Sequence, residues 1–187
     1  VVVQLANTLC HEHDVVLVAG EGDGKMWELI DSRVVREQAP HLQRALSLKN
    51  DLLAAIELRK LYRRHHPDVV HLHSSKAGTL GRLALPKRKT LYTVHGFDSV
   101  RVGFRRFLPV ERMLQHSTRA VVGVRNYDTR NMTAEGITKC VSTIYNGIKR
   151  PDVSNIQEAD IFNRYDKVVL SIARTDPPKQ PQLFVDI

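Results

Sequence analysis

The sequence predicts an α/β fold, a Rossmann-like doubly wound parallel sheet, and three observations lead there. Short apolar runs recur along the chain, each closed by small or polar residues. Segments of helical spacing lie between them, so strand and helix alternate. The stretch at 68–78, DVVHLHSSKAG, carries one apolar run straight into small and basic residues and then into the helix-prone 79–84. Such a junction is where a doubly wound sheet meets its ligand.

In chain order, residues 1–9 read as an amphipathic helix that feeds a first apolar run at 14–19, ended by Gly20. A parallel α/β unit ordinarily opens with a strand and a glycine-rich turn, so one strand and its loop, about 15 residues by typical element lengths, are expected ahead of Val1. Gly20, Gly22 and Gly24 form a glycine row, but its spacing departs from the dinucleotide fingerprint and they read as loop glycines. The clearest helix covers 50–66, where Leu52, Leu53, Ile56, Leu61 and Tyr62 recur at helical spacing before Pro67 stops it. Runs at 68–72, 90–94, 119–124 and 140–145 read as strands buried on both faces. A further strand is expected at 167–173, a loop at 174–179 and the start of a helix at 180–187. The expected organisation is therefore an amino-terminal domain over 1–165, lacking its first strand and glycine-rich loop. Residues 166–187 read as a linker and the first strand, loop and helix of a second domain.

With 187 residues, 42% of them hydrophobic, the chain can bury a full α/β core. Lys and Arg number 28 against 20 Asp and Glu, a net +8 that suits a polyanion, a diphosphate or an acidic membrane surface without choosing among them. Cys10 and Cys140 sit far apart in apolar segments without metal-ligand spacing and read as buried free thiols of a reducing compartment. No apolar run is long enough to span a bilayer and no secretory pattern opens the chain, so a cytoplasmic location is the expectation. A nucleic-acid-binding module would draw on the charge alone. It lacks a stacking platform, a recognition helix or a zinc motif, and no nucleic-acid partner is expected.

Candidate site residues follow from the strand ends. At the helix start after 68–72, backbone N–H groups point at an incoming anion, Ser74, Ser75 and Gly78 let it approach, and Lys76 adds a mobile positive charge. His71 and His73 lie two apart on one strand face and could chelate a metal, yet no third ligand has suggestive spacing, and no metal site is expected. A packed or hydrogen-bonded ring is the plainer reading of His71, whereas His73 stays open between cleft-lining and structural roles. His95 and Gly96 stand where a strand meets a loop. Asp176, Pro177 and Pro178 mark a helix start and leave Lys179 in a first turn, where the dipole disfavours a cation unless a phosphate is bound. Residues 101–112 interleave Val102, Phe104, Phe107 and Leu108 with Arg101, Arg105, Arg106 and Arg112. If Pro109 interrupts this segment, its first part is a basic, apolar surface element suited to anionic lipid headgroups; the alternative makes the aromatics core and the arginines solvated.

PDVVHLHSSKAGTLGRLA at 67–84, YTVHGF at 92–97, Glu111 at the head of a helix, IYNGI at 144–148 and SIARTDPPKQP at 171–181 stand in one order. Together they resemble the amino-terminal half of a family 4 glycosyltransferase of the GT-B fold, most of all the enzymes of bacterial capsule, exopolysaccharide and O-antigen assembly. The resemblance covers nearly the whole chain. It implies two Rossmann-like domains across a cleft, the first holding the acceptor and the second the nucleotide sugar. Ser74, Ser75, Lys76 and Gly78 match the loop that faces the cleft, and His95 the histidine beside the transferred sugar. Arg174 and Lys179 match the basic pair on the donor diphosphate, and His73, Gly96, Asn146 and Gly147 fall at the same cleft. Arg125 stands where the family usually has serine, and Lys149 where an acidic residue often follows.

The implied activity is transfer of a sugar, with retention, from a nucleoside diphosphate donor to a lipid-linked or oligosaccharide acceptor in surface polysaccharide synthesis, peripheral to the inner face of the plasma membrane. No cofactor or divalent metal is expected, because the basic pair takes the metal's place at the leaving diphosphate. The residues given are expected to be inactive by themselves, since the glutamates that contact the donor in the family are not among them. A GT-B sugar-nucleotide epimerase is the alternative.

Overall fold

In the computed structural model, which describes residues 1–20, 24–147, 154, 164–170, 172 and 182, every strand pairing is parallel. The chain divides into two compact units, Val1–Ile148 and Lys149–Ile187. In the first, α1 (Val2–Leu9) leads to β1 (Val16–Ala19), α2 (Lys25–Glu28), β2 (Val35–Gln38) and α3 (Leu48–His65). Then come β3 (Val70–His73), α4 (Ser75–Ala84), β4 (Thr90–Val94), α5 (Leu108–Leu114), β5 (Ala120–Gly123), α6 (Asn126–Ala134) and β6 (Val141–Thr143). In the second unit, residues 167–170 join no ladder, and Val169, Leu170 and Ile172 are exposed. The strand expected at 167–173 thus does not form in its described part, because extended backbone needs a neighbour to take its N–H and C=O groups.

The strands make two sheets, β1-β2 and β3-β4-β5-β6. A cleft of about 210 Å³ lies between them, lined among others by Val16 and Val18 of β1, Val70 and Leu72 of β3, and Leu58 and Leu61 of α3. Burial on both faces holds for the middle of the larger sheet, where Tyr92, Thr93, Val94, Val121 and Val122 are buried. It does not hold for β1, half-buried throughout, or for the edge strand β6. β2, reading Val-Arg-Glu-Gln, was not expected. As an exposed edge strand it has no apolar run to announce it.

Helix boundaries have local causes. Ser47 caps α3 by accepting from the Asn50 backbone N–H at 3.4 Å, and His66 ends it in the left-handed conformation with Pro67 behind. Pro109, expected as an interruption, instead occupies the first turn of α5, where its missing N–H costs nothing. Cys10 is buried as expected, whereas Cys140 is exposed. Cys140 has φ 51°, and its turn carries it out of the apolar run just ahead of β6.

Three apolar clusters hold the unit together. Ala6, Cys10, Ile30 and Val34 cover one side of β1, against Val15 and Leu17. Ala54 and Leu58 of α3 meet Leu80 of α4 near Val18 on the other. Leu72, Tyr92, Val94, Phe97, Leu108, Val121 and Met132 form the core of the larger sheet.

Gly78 belongs to that packing. A Cβ there would stand 2.3 Å from Cε2 of Tyr92, a ring clamped on another side by the Arg82 guanidinium 4.2 Å from its centroid. Gly78→Ala gains about 1 kcal/mol of helix propensity, but the ring cannot retreat. A net loss of about 1–3 kcal/mol is expected from overpacking, read as a lower urea midpoint.

Among the described residues no helix is long and apolar enough to cross a membrane.

Candidate functional site

Because β3, β4, β5 and β6 run parallel, the residues that follow each of them emerge at one edge of the sheet. That edge carries His73 at the end of β3 with Ser74 and Ser75 just past it, His95 and Gly96 after β4, Arg125 after β5, and Asn146 and Gly147 after β6.

The imidazoles form a chain along it. His73 pairs with Thr93 in the β3–β4 register, so the loop just past β4 brings His95 beside it. His73 Nδ1 and His95 Nε2 share a hydrogen bond of 2.9 Å, with the rings stacked at 5.2 Å. His71, on the same face of β3, lies 4.1 Å from His73 ring to ring, and its Nε2 shares a hydrogen bond of 2.7 Å with Thr93 Oγ1. Burial lowers all three pKa values below the usual histidine value, and that of His73, which also feels His71 and His95, falls to about 4. At neutral pH the edge therefore presents uncharged rings able to donate or accept one hydrogen bond each.

The sign of the resulting pH effect follows from linkage. The unfolded chain, with histidines near 6.5, binds protons as the pH drops while folded His73 resists until about 4. The stability that neutral His73 contributes is complete above pH 6.5 and is lost as pH falls from there toward 4. His73 is only half-buried, so the loss is expected to be about 1–2 kcal/mol after solvent screening. Urea midpoints at pH 7.5 and pH 4.5 check it, and His73→Asn should flatten the difference.

Backbone strain sits at the same edge. Ser74 has φ 69° and ψ 153°, a region that is essentially glycine's and costs about 1–3 kcal/mol, whereas Gly96 takes its φ of 149° without strain because it has no Cβ. The Ser74 hydroxyl caps α4 by accepting from the Ala77 N–H at 3.4 Å.

Lys76, expected to be mobile, is tethered. Its Nζ donates to the Ala45 carbonyl at 2.8 Å and pairs with Asp51 at 2.5 Å. Gly78 lies buried against Tyr92, while Asn146 and Gly147 are exposed. Arg174 and Lys179 lie outside the described residues.

Two supports of the edge had escaped the sequence reading. Asp128, fully buried, accepts from the Phe97 backbone N–H at 3.0 Å and from Arg125 at 2.9 and 3.1 Å, tying the loop after β4 to the first turn of α6. The i,i+3 spacing of Arg125 and Asp128 was the available signal. Arg82 and Glu111 form a buried ion pair behind the β3–α4 corner. In the 101–112 segment, Arg101 pairs with Asp98, Arg105 and Arg112 share Glu135, and Phe104 remains exposed.

Elsewhere, Cys10, His11 and Asp31 bring potential metal-ligand atoms within 4.8 Å of one another. Arg33 already supplies a cation there, touching His11 at 3.1 Å and Asp31 at 2.8 Å. A hollow of about 320 Å³ at the opposite end of the strands is lined by Lys87, Arg88, Arg119 and Lys139 with Thr118 and Cys140. These cations lie a few residues past helix C-termini, where the negative dipole end favours them.

Residues 1–150 match a family model described as Glycosyltransferase Family 4. A curated relative from Escherichia coli, UDP-Gal:alpha-D-GlcNAc-diphosphoundecaprenol alpha-1,3-galactosyltransferase, is 37% identical over 89 residues, which are 46% of this chain and 23% of the relative. The match thus spans about a quarter of that relative's length.

Proposed function

The chain belongs to glycosyltransferase family 4, and on that premise we propose that the full-length protein transfers a sugar, with retention, from a nucleoside diphosphate donor to a lipid-linked glycan acceptor in surface polysaccharide synthesis. The observation that carries this reading is the His73–His95 pair, joined at 2.9 Å on the carboxyl edge of a parallel sheet, where an α/β fold receives its ligand. The E. coli relative's name, with its nucleotide-sugar donor and its acceptor on a lipid diphosphate, supports the substrate classes.

The chemistry needs little from the His73–His95 edge beyond orientation. Departure of the diphosphate raises negative charge on oxygen and leaves positive character on the sugar carbon. A neutral imidazole at His95 can hold a sugar hydroxyl without adding charge beside that carbon, and His73 fixes its ring. The strained Ser74 turn and the glycine turn at Gly96 shape the two loops from which those rings project. Arg174 and Lys179 meet the leaving diphosphate, so divalent metal is not needed.

The test is incubation of the full-length protein with nucleotide sugar, with and without a polyprenyl-diphosphate sugar, in EDTA. Transfer to the lipid supports the reading. Conversion of the nucleotide sugar with no acceptor present would replace it with an epimerase, and no product in either mixture would sink it.

A further inference from the structure

Helix α3 turns toward solvent a face that the packing of the fold does not use. Its buried residues are Ala54 and Leu58. On the opposite side Leu48, Leu52 and Ile56 are 93%, 65% and 41% exposed, and Leu46 just ahead of the helix is 68% exposed. Positions 48, 52 and 56 stand one above another. At about 100° per residue, Lys49, Arg59, Lys60 and Arg63 fall on the same outward face, and all four are exposed. Arg59 keeps its Nε on the Ala84 carbonyl. Neither acid of the helix shares that face, since Asp51 turns to Lys76 and Glu57 to His41.

Single exposed leucines are ordinary, but an apolar stripe continued by cations and free of acids has the make-up of an interfacial helix. The charge is complementary to an anionic surface there, whereas the arginines of the 101–112 segment are largely spent on Asp98 and Glu135.

We propose that the outward face of α3 seats this protein on an anionic phospholipid bilayer, with Leu46, Leu48, Leu52 and Ile56 at the headgroup boundary and Lys49, Lys60 and Arg63 against lipid phosphates. The position of this face joins it to the site. Lys76, in the first turn of α4 just after Ser74, holds both the Ala45 carbonyl and Asp51, so the apolar end of α3 lies at the edge that carries His73 and His95. Docking there would bring the edge to the surface from which a lipid-linked acceptor rises, a role that rests on the proposed function, although the docking itself does not.

The experiment is vesicle sedimentation of the full-length protein, without substrate, on phosphatidylcholine alone and on phosphatidylcholine mixed with phosphatidylglycerol. Wild type is expected to sediment with the anionic vesicles only. Leu48→Ser/Leu52→Ser/Ile56→Ser should lower partitioning about tenfold or more, and Lys49→Gln/Lys60→Gln/Arg63→Gln should lower it and weaken its salt dependence. Because these side chains are exposed, both variants should keep wild-type circular dichroism and urea midpoints. A Phe104→Ser/Phe107→Ser variant is expected to bind normally.

Three results would overturn the proposal: no sedimentation of wild type, undiminished binding of the folded α3 variants, or loss only in the Phe104/Phe107 variant. Transfer to a water-soluble acceptor, measured separately, keeps the two ideas apart. Vesicle binding without transfer would remove the activity and leave the docking face standing, and transfer without vesicle binding would do the reverse.

Discussion

Replacing Arg82 by methionine is expected to destabilise the protein by about 3–5 kcal/mol, the cost of leaving one member of a buried ion pair alone. The Arg82 side chain is 1% exposed and that of Glu111 9%. Arg82 Nη2 donates to both carboxylate oxygens of Glu111 at 2.9 and 2.7 Å, its Nε donates to the Gly78 carbonyl at 2.9 Å, and its guanidinium lies on the Tyr92 ring. Methionine fills similar volume but leaves the Glu111 carboxylate facing an apolar wall. Burial together with Glu111 pushes the Tyr92 phenol up to about 12, so it stays neutral beside the carboxylate and supplies no positive charge in place of the guanidinium.

The urea midpoint should fall steeply in Arg82→Met, and Arg82→Met/Glu111→Leu should recover most of the loss because no charge is then left buried. Equal losses in the single and double variants would mean that packing against Tyr92, and not the pairing, is what matters. The same contact explains why Glu111 belongs at the head of α5. It anchors that helix to α4, and α4 in turn carries the corner that begins with Ser74.

How much of this was legible in the sequence depended on how local each cause is. β4 runs over 90–94 as its apolar pattern predicts, and β3, β5 and β6 fall within two residues of theirs. α3, expected over 50–66, runs over 48–65, its end set by Pro67 as expected and its start by the Ser47 cap, which the apolar spacing did not reveal. β2 was invisible because an edge strand needs no apolar side chains, only a neighbour. The expected single sheet is two sheets in the described residues.

At the candidate site, the meeting of His73 and His95 was readable because parallel strands deliver their following residues to a common edge. The tethering of Lys76 was not, since Asp51 lies 25 positions earlier in the sequence and the Ala45 carbonyl carries no side-chain signal. Asp128 was missed for a related reason. Its decisive partner is the backbone N–H of Phe97, 31 positions away, and backbone groups look alike in any sequence.

If the full-length protein carries out the proposed transfer, Arg174→Ala and Lys179→Ala are each expected to lower its turnover by about 10²–10³-fold, the size of losing one fixed donor to a developing oxyanion. The charge on the diphosphate grows as the bond to the sugar breaks, so a cation set beside it stabilises the transition state more than the bound donor. The loss should therefore appear in kcat more than in KM. Lys179→Arg and Arg174→Lys are expected to restore only part of the rate, because a planar fork and a point charge do not reach the same oxygens. Added Mg²⁺ should not rescue either alanine variant if the protein's own cations do the work a metal does elsewhere. Near-normal turnover in both alanine variants would remove the pair from the mechanism, and full rescue by Mg²⁺ would return the leaving group to a metal.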